Sequence, residues 1–158
     1  MSRRTATTAA VAALALAGAA ALSGCSGSSP AAAEDAAPHL EVSGAYVPRP
    51  VLADTATAYF TVRNTGGTDD RLTRVTSDLA PMVTLDITAD NTMRTVKSLP
   101  VPAGGTLHLR TGGNHLMLMH LRDRPAVGDT VTLHLTFATS APVTVKAPVK
   151  PATYQPAN

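Results

Sequence analysis

His115-Leu116-Met117-Leu118-Met119 lies between Gly112-Gly113 and Gly128-Asp129. Glycine turns on both sides of a short apolar run predict a β-strand. Alternate side chains of a strand share a face, so His115, Met117 and Met119 point one way and Leu116 and Leu118 the other. An imidazole and two thioethers on one face are soft to borderline ligands, a set that selects Cu(I). Methionine is also flexible core filler, so the rest of the chain has to decide between the two readings.

Further soft ligands are few. The 158 residues hold five Met, five His and one Cys. Met93 precedes His115 by 21 intervening residues, and Met82 precedes Met93 by ten, giving Met82-x10-Met93-x21-His115-x-Met117. His120 falls on the opposite strand face from His115, which argues against shared ligation. His108 and His134 occupy polar positions of alternating strands and read as surface residues. His39 lies at the end of a flexible segment. Asp86 follows Val83-Thr84-Leu85 and shares the alternation of Met82 and Thr84; it reads either as an oxygen ligand, better suited to Cu(II) than to Cu(I), or as a solvated strand-end carboxylate. A histidine ligand binds as neutral imidazole, so acidification is expected to weaken a site that uses His115.

The elements that must carry these residues read as all-β. Runs rich in β-branched and aliphatic residues are predicted as strands at 40–47, 56–64, 71–76, 82–88, 92–98, 106–110, 115–121, 130–138 and 143–149. Val131, Leu133, Leu135 and Phe137 alternate with Thr130, Thr132, His134 and Thr136. Asn64-Thr65-Gly66-Gly67, Ala103-Gly104-Gly105 and Gly112-Gly113-Asn114 supply turn chemistry. Short strands at this density favour a two-sheet sandwich or barrel with Greek-key connections. No segment has convincing amphipathic helical periodicity.

The N-terminus supplies an address. Arg3-Arg4 precede an uncharged run rich in Ala, Thr, Leu and Val, which ends at Leu22-Ser23-Gly24-Cys25. This resembles a bacterial lipoprotein signal: residues 1–24 are expected to be removed and Cys25 lipidated, which anchors the protein at the extracytoplasmic face of the cell membrane. Export by the Sec or the twin-arginine route stays open. Residues 25–38 read as a flexible tether, 39–150 as one domain and 151–158 as a disordered tail. Cys25 is the only cysteine, so the domain has neither a disulfide nor a thiolate ligand. That argues against a blue-copper electron carrier, whose site uses Cys.

The formal charge of +2 comes from 13 basic and 11 acidic residues; loss of Arg3 and Arg4 leaves 11 of each. With no basic cluster and almost no aromatic residue to stack a base, nucleic-acid binding is excluded. The chain has no G-x-S-x-G, no H-E-x-x-H and no paired catalytic carboxylates, and no enzyme reading is supported.

The Met/His series, with Gly112-Gly113-Asn114-His115-Leu116-Met117-Leu118-Met119, Val101-Pro102-Ala103-Gly104-Gly105 and Gly128-Asp129, resembles the periplasmic PCu(A)C copper chaperones over roughly residues 40–150. The resemblance implies a cupredoxin-like β-sandwich, expected as a monomer. It implies copper held by Met93, His115 and Met117, with Met82 less well supported and Met119 beside them. It also implies delivery toward the copper centre of cytochrome oxidase, alongside Sco-type proteins. In one respect the chain departs from the family: where a first histidine is usual, after a V-x-L segment, this sequence has Asp86. The first ligand is therefore open between Met82, Asp86 and water. A β-sandwich interaction or adhesion lipoprotein without copper is the alternative reading.

Overall fold

The computed structural model describes residues 36–156. The signal segment and Cys25 lie outside the described residues. Ten strands follow in chain order: β1 (Leu40–Pro48), β2 (Thr55–Asn64), β3 (Asp70–Ser77), β4 (Met82–Ala89), β5 (Thr92–Val96), β6 (Leu99–Val101), β7 (Thr106–His108), β8 (His115–Met119), β9 (Thr130–Phe137) and β10 (Val143–Lys150). They hydrogen-bond in the order β5-β4-β8-β2-β1-β10-β9-β3-β6, with β7 also on β2. The β1–β10 pair is parallel and the other pairs are antiparallel. Because β8 lies between β4 and β2, the chain leaves this part of the sheet and returns to it, as the expected Greek-key sandwich requires.

Alternation explains which faces meet. In β9, Val131, Leu133, Leu135 and Phe137 are buried while Thr130, His134 and Thr136 are exposed. Leu116 and Leu118 of β8 and Phe60 and Val62 of β2 join Leu72, Leu133, Leu135 and Val149 in one core. Non-directional burial of these side chains holds the two halves of the sandwich together.

Two expectations need correction. Leu99–Val101 forms an additional strand around Pro100, paired with β3 through Leu72↔Leu99 and Asp70↔Val101. Proline disfavours a central strand because it cannot donate to the ladder, but β6 is an edge. β8 ends at Met119 rather than residue 121, because His120 adopts φ 59°, a left-handed conformation that breaks the ladder. The Tyr154 ring stands edge-on to Tyr46, with centroids 5.1 Å apart.

Two buried polar side chains organise the loops. Asn64 accepts the backbone N–H groups of His39 and Gly66, both at 3.0 Å, and donates to the Thr68 carbonyl at 2.8 Å. Asp70, at the start of β3, accepts the N–H groups of Arg71 (2.7 Å), Thr139 (3.0 Å) and Ser140 (2.9 Å), tying β3 to the segment after β9. Burial pushes the Asp70 carboxyl upward, but the donors from Ser140, Arg71 and Thr139 outweigh it and hold the group below the ordinary carboxylate value. A folded-state value below the unfolded one adds stability that is complete above the unfolded value and vanishes as pH falls through the folded one. The midpoint of urea unfolding should therefore drop as pH falls below about 4. Asp70→Asn should already be destabilised near neutral pH and show a flatter acid limb. An unchanged acid limb in Asp70→Asn would remove Asp70 as its source.

Candidate metal centre

Three adjacent strands carry the candidate ligands. β4 and β5 form a hairpin whose two-residue turn is Asp90-Asn91, at φ 51° and 56°. Consecutive residues at positive φ make the turn that matches strand twist, and Asp and Asn tolerate it best after glycine. The turn sets the register Ala89↔Thr92, Thr88↔Met93 and Asp86↔Thr95. On the other side of β4, β8 pairs as Asp86↔His115, Thr84↔Met117 and Met82↔Met119. β2 then adds Thr57↔Met117 and Thr55↔Met119.

This register brings Met93 and His115 together across the width of β4. Met93 Sδ lies 3.3 Å from His115 Nε2. The other ring nitrogen, Nδ1, lies 3.0 Å from the Gly113 carbonyl oxygen, which also accepts the Thr88 N–H at 3.2 Å. A carbonyl only accepts, so Nδ1 carries the proton, and in the neutral ring Nε2 presents a lone pair. In that form the nitrogen lone pair and the thioether sulfur are two donor atoms turned toward shared space. The imidazole is buried, 7% exposed, while Met93 is 55% exposed. The imidazole is thus fixed and the thioether faces solvent.

Asp86 stands directly opposite His115 and is 3% exposed. It is not a solvated strand-end carboxylate: it lies inside β4, and both its oxygens are engaged. Oδ2 accepts Thr84 Oγ1 at 2.6 Å and Oδ1 accepts Thr95 Oγ1 at 2.5 Å. Asp86 thereby braces β5, the strand that carries Met93, against β4.

The other methionines spread along the same face, and the remaining histidines lie elsewhere. Met117 is half-buried beside a shallow cleft shared with Pro48, Leu52 and Thr57. Met82 stands opposite Met119, not His115. It is four residues from Asp86, about 13 Å along the strand. His39 is anchored by Asn64 and Thr65 at the far end of β2. His108 and His134 are exposed and pair with Thr61 and Thr144 hydroxyls. Among the described residues no three His, Cys, Asp or Glu side chains group closely enough to hold a metal ion. Asp90-Asn91 is the feature that sequence reading passed over; an Asx pair between two alternating runs signals the tight turn that aligns Met93.

Comparison with known proteins places the chain. A family model described as "Putative lipoprotein LpqE-like" matches residues 40–149. The chain belongs to the LpqE-like family. Within the curated proteins it is 35% identical over 135 residues to "Putative lipoprotein Lxx21020" of Leifsonia xyli subsp. xyli, covering 80% of this chain and 81% of that one. Among solved structures, the apo PCuAC domain of PmoF2 superposes with a TM-score of 0.66 at 22% identity, over 77% of this chain and 98% of that domain. At that identity the likeness speaks for the fold alone. The Cu(I) form of DR1885 from Deinococcus radiodurans gives a TM-score of 0.61 at 32% identity, over 70% of this chain and 77% of that one. This LpqE-like chain thus has the cupredoxin-like β fold of PCuAC domains, as the sequence resemblance implied.

Proposed function

We propose that the protein is a lipid-anchored extracytoplasmic copper chaperone, not an enzyme, which carries Cu(I) as cargo on His115 and Met93. The observation that carries the reading is the 3.3 Å approach of His115 Nε2 to Met93 Sδ, with Nδ1 held by Gly113. A relative at 32% identity that was solved with Cu(I) supports the choice of metal. Met117 shares the face of His115 and is the third ligand in this reading, while Asp86 positions β5 beneath Met93. Neutral nitrogen and thioether donors match a soft monovalent ion and need no deprotonated thiol. Exposure of Met93 provides for transfer, because an acceptor can displace the outer ligand first. Lipidation of Cys25 would hold the domain at the outer face of the membrane. The receiving protein in this reading is a copper-site assembly factor of the Sco type or cytochrome oxidase itself.

Anaerobic titration of the full-length protein with Cu(I), in competition with bicinchoninate, tests the reading. The protein is expected to retain at least one equivalent of Cu(I) against the chelator. Complete loss of copper to the chelator overturns the assignment and favours an interaction domain without metal.

A further inference from the structure

The four methionines after the signal segment are Met82, Met93, Met117 and Met119. None is in the core. All stand on one face of the β5-β4-β8 sheet. Inward positions of these strands are Val83, Leu85, Ile87, Leu116 and Leu118, and outward positions are Met82, Thr84, Asp86, Thr88, Met93, Thr95, His115, Met117 and Met119. Every large aliphatic side chain on the outward face is therefore a thioether. Methionine used to fill space belongs inside, where its flexibility closes gaps. Here the inside is filled by branched residues and the sulfurs are kept outside.

The His115–Met93 pair accounts for only one end of this row. At the other end Met82 and Met119 are directly opposed across β4 and β8, and Met82 is 47% exposed. Directly opposed residues have Cβ atoms about 5 Å apart, and diagonal neighbours remain within reach of long side chains. Two opposed thioethers can therefore converge on one soft ion, and Met117, diagonal to Met82, can approach the same point. Side chains stand roughly perpendicular to a sheet, so Met82, four residues along β4 from the position opposite His115, does not meet the imidazole.

We propose that Met82 and Met119 form a second Cu(I) station, with Met117 between the two stations on β8. The station is thioether-only and open to solvent, so it holds copper more weakly than the pair containing the imidazole and serves as an entry or exit point. The inference rests on the reading of the chain as a Cu(I) carrier but uses different residues.

The test uses the full-length protein labelled with 13C at the methionine methyl groups and titrated with Ag(I), a closed-shell stand-in for Cu(I). The first equivalent is expected to move the Met93 methyl signal. A second, weaker equivalent is expected to move Met82 and Met119. The double variant Met82→Leu/Met119→Leu preserves volume at half-exposed positions, should fold normally, and should lose only the second equivalent. The inference is overturned if the wild type stops at one equivalent without movement of Met82 and Met119, if Met82 moves with Met93 in a single event, or if the double leucine variant still binds two. Absence of any binding, including at Met93, sinks the carrier reading itself, whereas loss of the second equivalent alone leaves that reading intact.

Discussion

His115→Ala is expected to lower Cu(I) affinity on the order of a thousandfold, about 4 kcal/mol. In the proposed reading the substitution removes the one nitrogen donor of the pair. His39 is tied to the far end of β2, while His108 and His134 are engaged with Thr61 and Thr144. The ring is also the fixed member of the pair, oriented by the Gly113 carbonyl, so its loss removes preorganisation as well as a donor. Met93→Leu should weaken binding less and leave stability unchanged, because Met93 is 55% exposed and leucine is similar in volume. Bicinchoninate competition measures both effects, and urea unfolding of the apoproteins separates ligand loss from fold loss. A His115→Ala protein that is folded and keeps wild-type Cu(I) affinity at the first equivalent would remove His115 from the site.

The second large effect is expected at Asp86. Asp86→Ala leaves the Thr84 and Thr95 hydroxyls without their acceptor and removes the brace between β4 and β5. Hydrogen bonds to a charged group contribute about 1.5–3 kcal/mol each, and part of the loss is recovered when the hydroxyls find water. A net destabilisation of about 3 kcal/mol is expected, read as a lower urea midpoint. Copper binding should also weaken, because Met93 is carried by the strand that Asp86 holds. The counterpart is Asp86→His, which puts an imidazole directly opposite His115. It should lose stability for the same reason yet bind Cu(I) more tightly than Asp86→Ala. Wild-type stability in Asp86→Ala would show that the two threonine contacts do not brace the hairpin.

These two residues show how much could be read before folding. The strands around His115 and Met93 follow from runs of β-branched and aliphatic residues, bounded by glycine turns at His115, and alternation alone puts His115, Met117 and Met119 on one face. The resemblance of the Met/His series to a copper-chaperone motif implied Met93 and His115 together, and the structure places Met93 Sδ 3.3 Å from His115 Nε2. By contrast, the x10 interval between Met82 and Met93 carries no geometric meaning. Those ten residues contain a two-residue turn that folds β5 back along β4, so Met93 ends opposite Thr88 while Met82 remains at the other end of its strand. Counting residues across a hairpin measures contour length, not separation in space.

By itself the sequence determined the all-β class, the face shared by His115, Met117 and Met119, and the lack of any thiol among the soft donor side chains of the domain. Each depends on residue type or on local periodicity, which a chain displays without being folded. Only the tertiary structure decided that Asp86, and not Met82, stands opposite His115, that Asp86 is buried rather than solvated, and that Leu99–Val101 is an edge strand despite Pro100. It also joined Asp70 to Thr139 and Ser140, about seventy residues away. The reason is common to all four: strand register and edge position are set by long-range pairing as apolar faces close on one core, and a slip of one residue would turn every side chain of a strand to the other face.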